Sequence, residues 1–205
     1  MNLMIQQAIR REERAYARQA LRLYGREMPQ LFRSSYPYRG IYETFLEHAR
    51  ISASTVVVSA LIPSLQLYPG GNDGSTWISV TLLVPSGREV SLPDLFSSRS
   101  RGLQFLAQTV KRNVLQSEPC IKQSISSPIT GDLSARGFEA APGNYRYFAL
   151  MPKGLIVGMP NGQVGSPSCG RIEALVPYAF LRPHLSTLGR RLVAGIRRPL
   201  LTRVE

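Results

Sequence analysis

The chain has 205 residues, 43% of them hydrophobic, and a formal charge of +12 from 25 basic and 13 acidic residues. That length suits one domain, and an apolar fraction of this size excludes wholesale disorder. No apolar run approaches the ~18 residues of a membrane-spanning helix, because the longest candidate, Val56 to Leu67, is broken by Ser59, Pro63 and Ser64.

The start of the chain turns polar within a few residues of Met1 and lacks the pattern of a signal peptide. The protein is then cytosolic, or a leader lies outside this chain. Residues 3–24 read as a helix, with Ile5, Ile9, Tyr16, Ala20 and Leu23 forming an apolar stripe and Gly25 and Pro29 stopping it. Arg14, Arg18 and Arg22 on this helix have no acid three or four positions away. Like charges at that spacing repel, so these arginines are solvated, paired with the rest of the fold, or turned to a partner.

Residues 54–67 are β-branched and apolar and read as a strand bent near Pro63. The turn Pro69-Gly70-Gly71-Asn72-Asp73-Gly74 leads into a second strand over Trp77 to Val84, where Ile78, Val80 and Leu82 alternate with polar residues. A tight turn at Pro85-Ser86-Gly87-Arg88 gives a short third strand, Glu89 to Leu92. Leu103, Leu106, Val110 and Val114 define a helix over 103–116. Residues 118–143 are rich in Ser, Pro and Gly and read as a long loop, a feature that often binds. Tyr145 to Leu150 and Leu155 to Met159 form a hairpin, Ile172 to Val176 a last strand, and Leu181, Leu185, Leu188 and Leu192 a closing helix over 179–193. Strands grouped between helices make this an α+β domain with a mostly antiparallel sheet from 54–92 and 145–176. The domain spans 1–193, and residues 194–205 form a basic tail. Phe96, Phe148, Leu155 and Val176 are expected to be buried.

The chemistry-bearing residues are few. Only Lys111, Lys122 and Lys153 are lysines, so 22 of the basic residues are arginines, whose forked guanidinium suits carboxylates and phosphates. His48 and His184 are the only histidines, which disfavours a metal site and leaves few general bases near neutral pH. No Gly-x-Ser-x-Gly elbow and no Walker or dinucleotide loop is present. Cys120 and Cys169 do not make a zinc site; they read as two unrelated thiols, or as one disulfide if the compartment is oxidising. The expectation is a non-enzymatic chain with no cofactor and no metal.

Three segments together carry a resemblance. The first is the strand–turn–strand around Tyr68-Pro69-Gly70-Gly71-Asn72-Asp73-Gly74. The second is Ser86-Gly87-Arg88-Glu89-Val90-Ser91-Leu92-Pro93-Asp94-Leu95-Phe96. The third runs from Asn144-Tyr145-Arg146-Tyr147-Phe148-Ala149-Leu150 through Gly154-Leu155-Ile156 and Gln163-Val164-Gly165 to Val176-Pro177-Tyr178. In order and spacing they resemble the domain of unknown function at the C-terminus of RsiV-like lysozyme-sensing anti-sigma factors. That domain also accompanies some peptidoglycan deacetylases, and a secreted mycobacterial immunogenic protein is similar. The shared residues are fold residues: Leu92, Leu95 and Phe96 as core anchors, Asp94 as a helix cap, and Gly87, Gly154 and Gly170 as turn glycines. Where the family often has Gly-Gly-Ala-His-Gly, this chain has Asp73 in place of the histidine.

The resemblance implies an extracytoplasmic binding or sensing domain. Lysozyme is itself basic, so the charge here fits an acidic protein or an anionic envelope polymer better. The alternative is a nucleic-acid- or polyanion-binding protein in the cytoplasm. Binding is expected at Tyr68, Asn72 and Asp73 on the glycine turn, at the 118–143 loop beside it, and at Arg14, Arg18 and Arg22.

Overall fold

The computed structural model describes residues 44–46, 49–66, 74–84, 86–127, 131–197 and 201–204. The helix expected over 3–24 lies outside them. The described part is α+β, with two antiparallel sheets.

The large sheet is built on the ten-residue strand β3, Val57–Gln66. Strand β4, Gly74–Leu83, pairs along its whole length, from Val57 opposite Leu83 to Gln66 opposite Gly74. On the other edge of β3 two short strands follow one another, β1 (Thr44–Leu46) and β2 (Arg50–Ala53). The small sheet has the order β5 (Phe148–Met151), β6 (Gly154–Met159), β7 (Ile172–Pro177), with β5 and β6 joined as the expected hairpin.

Four expectations about secondary structure need correction. The third strand of the meander is reduced to one bridge between Leu82 and Glu89. Leu92–Leu95 coils into a 3-10 turn instead, because Pro93 has no N–H for a ladder and its fixed φ suits a helical turn. The 118–143 segment is not a loop: it holds helices α2, Pro119–Ser126, and α3, Gly131–Arg136, after the long α1, Arg99–Ser117. Eight and six residues are too few for an apolar period to show, yet Ile121 and Phe138 are buried in the core. The closing helix is broken into a single turn α4, Tyr178–Leu181, a 3-10 turn Arg182–His184, and α5, Thr187–Ile196. Between them Leu185 is extended and bridges Phe96, and the Ser186 hydroxyl accepts from Gly189 N at 3.0 Å to start α5 afresh. Finally, 194–205 is more than a tail. Residues 194–196 finish α5, and β8, Leu201–Val204, pairs outside β2.

The layers follow from strand alternation, since neighbouring residues face opposite sides of a sheet. Phe148, Leu150, Leu155, Val157, Ala174 and Val176 of the small sheet meet Leu103, Leu106, Val110 and Val114 of α1 in the main core. Tyr147, Ala149, Met151 and Ile156 face the large sheet and pack on Leu61 and Trp77. The fit there is tight: a Cβ on Gly158 would lie 2.7 Å from the Trp77 ring. The four residues expected to be core, Phe96, Phe148, Leu155 and Val176, are all buried. So are the motif residues Leu92 and Leu95. Gly87 and Gly170 hold φ of 68° and 74°, where a side chain would be strained.

Cys120 and Cys169 are joined in a disulfide that ties α2 to the loop before β7 across 49 residues. Of the two readings left open for these cysteines, the disulfide is the one formed. The bridge lies beside close packing, with the Ser124 hydroxyl accepting from Ser166 N at 3.1 Å.

Candidate functional site

Of the residues that sequence singled out for binding, Tyr68, Asn72, Asp73, Arg14, Arg18 and Arg22 all lie outside the described residues. The described surface offers a different candidate, built on α1 and the segment that follows β7.

Helix α1 buries Leu103, Leu106, Ala107, Val110 and Val114. Each residue turns ~100°, so Arg101, Phe105, Gln108 and Arg112 fall within about 60° of one another on the outer side. Arg101, Gln108 and Arg112 are exposed and Phe105 is half-buried. No acid occurs anywhere in the nineteen residues of α1, nor between residues 178 and 197. Together the two segments expose eight cations: Arg99, Arg101, Lys111, Arg112, Arg182, Arg190, Arg191 and Arg197.

The two segments meet through aromatic and backbone contacts. The rings of Phe105 and His184 stack with centroids 4.1 Å apart. The His184 carbonyl accepts from Ser97 N at 2.9 Å and from the Ser97 hydroxyl at 3.1 Å, which ties the backbone at His184 to the residues just before α1. One turn before His184 stands Phe180, 50% exposed, with exposed Arg182 between them.

Two of the eight cations have partners. Arg99 Nη2 lies 3.2 Å from Asp94 Oδ1. The Asp94 carboxylate is held below its ordinary range chiefly by the Ser91 hydroxyl donating to it at 2.7 Å, with partial burial opposing and Arg99 adding a smaller pull. Asp94 thus pairs with the first residue of α1 rather than capping it. Arg197 sits over the Tyr178 ring at 5.8 Å. Burial pushes the Tyr178 phenol far up, so that ring stays neutral. Tyr145 is likewise pushed up by burial, and its hydroxyl donates to the Phe138 carbonyl at 2.9 Å. The other six cations have no acidic partner among the described residues.

A shallow groove of about 360 Å³ runs between the C-terminal half of α1 and the outer edge of β7, floored by Val114, Ala174 and Leu175. Asn113 Nδ2 spans it, donating to the Leu175 carbonyl at 3.2 Å. Both cysteines are consumed in the disulfide, and no group of three His, Cys, Asp or Glu among the described residues could hold a metal ion. No helix among them is long and apolar enough to cross a membrane.

The signal for this surface was present in the sequence as an acid-free helix, but the pairing of Phe105 with His184 joins residues 79 positions apart and has no local pattern.

No family model matches the chain, and no curated protein matches it in sequence. Among solved structures it is similar to a DUF3298 family protein from Pseudomonas aeruginosa, at 13% identity and a TM-score of 0.49, over 78% of this chain and 68% of that one. It is also similar to a member of the DUF3298 family from Bacteroides fragilis, at 12% identity and a TM-score of 0.54, over 94% of this chain and 73% of that one. At such identity the second likeness speaks for the fold alone: this chain has the fold of a DUF3298 structure, a domain of unknown function.

Proposed function

We propose that the protein is a non-catalytic binding domain of the cell envelope, related to the RsiV-like domains, whose partner is anionic. The observation that carries this reading is that neither α1 nor residues 178–197 contains an acid, while the two segments expose eight cations, of which only Arg99 lies against an acid among the described residues. Surface charge of one sign that is not relieved locally raises the local concentration of oppositely charged partners and speeds their capture. The envelope part of the reading is supported by the Cys120–Cys169 disulfide, whose Cys120 is exposed. Such bridges persist in oxidising compartments and are rare in the cytosol. The order of the three RsiV-like sequence segments supports it too.

The test is binding of labelled polyglutamate, and of a duplex DNA in parallel, across a salt series. The comparison is wild type against the variant Arg101→Gln/Arg112→Gln/Arg182→Gln. Glutamine keeps helix propensity close to that of arginine. The variant is expected to bind more weakly and with a shallower salt dependence; for DNA each lost contact removes ~0.9 from the log–log slope. Superimposable salt curves for the two proteins would remove this surface from the function. Tighter binding to DNA than to polyglutamate would favour the nucleic-acid reading. Two free thiols, found by alkylation in protein taken from its native host, would place it in a reducing compartment instead.

A further inference from the structure

We infer that the seam between α1 and the turn after β7 is a docking surface for an acidic protein segment that carries an aromatic or aliphatic anchor. This rests on the anionic-partner reading and narrows it from polyanions in general to a polypeptide. Three observations on that seam point the same way. Phe180 is 50% exposed at the end of a short turn, Tyr178–Leu181, whose other aromatic, Tyr178, is buried. Phe105 and His184 stack at 4.1 Å and are only half-buried, and His184 follows Phe180 by four residues in the chain. Arg101 and Arg112 lie on the same side of α1 as Phe105, and Arg182 stands between Phe180 and His184 in the chain, all three exposed.

The chemistry separates the candidate partners. A sulfated or phosphorylated polymer needs cations and gains little from an exposed phenyl ring. A polypeptide that alternates carboxylates with a bulky apolar side chain uses both. Its carboxylates take the arginine forks, and its anchor packs on Phe180 and the edge of the stacked pair, where aromatic residues supply most of the binding in protein interfaces. Phe180 is then the residue whose removal separates the two cases, because it carries no charge and its truncation leaves the cations in place.

The experiment measures affinity of the full chain for three probes at fixed salt: a random Glu–Tyr copolymer, polyglutamate of the same length, and heparin. The copolymer is expected to bind about tenfold tighter than polyglutamate, the factor that loss of one aromatic anchor typically represents. Phe180→Ala is expected to abolish that advantage and leave polyglutamate and heparin binding unchanged. Phe180→Glu, which sets a negative charge at the same exposed point, is expected to weaken the copolymer further. Both variants should keep the wild-type thermal midpoint. Equal affinity for copolymer and polyglutamate, or a copolymer affinity untouched by both Phe180 variants, would overturn the docking surface while leaving the anionic reading intact. Absence of salt-sensitive binding to all three probes would overturn the anionic reading itself, and the docking surface with it.

Discussion

On its helical side the small sheet meets α1 mainly through apolar residues, Phe148, Leu150, Leu155, Val157, Ala174 and Val176, with the Asn113–Leu175 bond as a polar contact at the β7 edge. On its other side it meets the large sheet through a mixed seam. Leu61, Trp77, Ala149, Met151 and Ile156 share that seam with the hydroxyls of Ser59 and Thr81, which lie 2.7 Å apart, and with Ser52 beside them. The difference teaches what each interface does. Apolar contact is non-directional and scales with area, so the helical side supplies cohesion. Hydrogen bonds have geometry, so the hydroxyl side sets how the two sheets sit. The clearest case is Leu150 N, which donates to Ser59 Oγ at 2.8 Å. β5 is the edge strand of the small sheet, and an outward N–H left without a partner in a buried edge would be costly. The large sheet provides that partner. Trp77 Nε1, donating to the Met159 carbonyl at 3.2 Å, does the same at the other end of the seam.

The comparison is tested first on the apolar side. Phe148 is buried against α1, and Phe148→Ala is expected to cost ~3–5 kcal/mol, the usual range for deleting a buried aromatic ring. Urea denaturation reads it directly; a midpoint equal to wild type would mean that the helical side is not the main source of cohesion.

The hydroxyl side should respond less. Ser59→Ala removes the acceptor of Leu150 N and the partner of the Thr81 hydroxyl at once. Leaving buried polar groups unpaired costs about 1–3 kcal/mol. Faster hydrogen exchange at the Leu150 amide is the specific signature, and protection there equal to wild type would show that the seam does not depend on Ser59.

How much of this was legible depends on which faces are wet. β7 alternates buried and exposed residues along its length, and the period of two was readable. β5 and β6 are buried on both faces, so no alternation exists, and only the turn at Pro152-Lys153-Gly154 marked the hairpin. The serines of the seam were unreadable as core: Ser59 looks like an interruption of an apolar run, although it is buried and bonded across 91 residues to Leu150. The leucine spacing in 179–193 gave the right buried residues at 181, 185 and 192 and the wrong shape, because Pro183 and the Ser186 cap divide the helix without disturbing which side is apolar. At the candidate site, the acid-free helix is visible in the sequence, but the glycine turn and the N-terminal arginines carry the more obvious local signals. The Phe105–His184 stack joins two elements far apart in sequence, which is a tertiary event.

The smallest effect is expected directly opposite Ser59. In the β2–β3 pairing Ser52 faces Ser59 across the ladder, and both side chains are fully buried. Their hydroxyls differ in one respect: Ser59 Oγ has two partners, whereas Ser52 Oγ has none among the described residues. Removing a buried hydroxyl that makes no bond relieves its desolvation cost and leaves no partner stranded. Ser52→Ala is therefore expected to be neutral within ~0.5 kcal/mol, or stabilising. The pair of substitutions isolates hydrogen bonding from residue type, since both are Ser to Ala at neighbouring buried positions of one sheet. If Ser52→Ala proves as costly as Ser59→Ala, burial of a serine here carries value that the bonding pattern does not explain. If the two differ in the expected direction, the hydroxyl seam is specific to the group that holds Leu150 N, and the contrast between the apolar and polar sides of the small sheet stands on that bond.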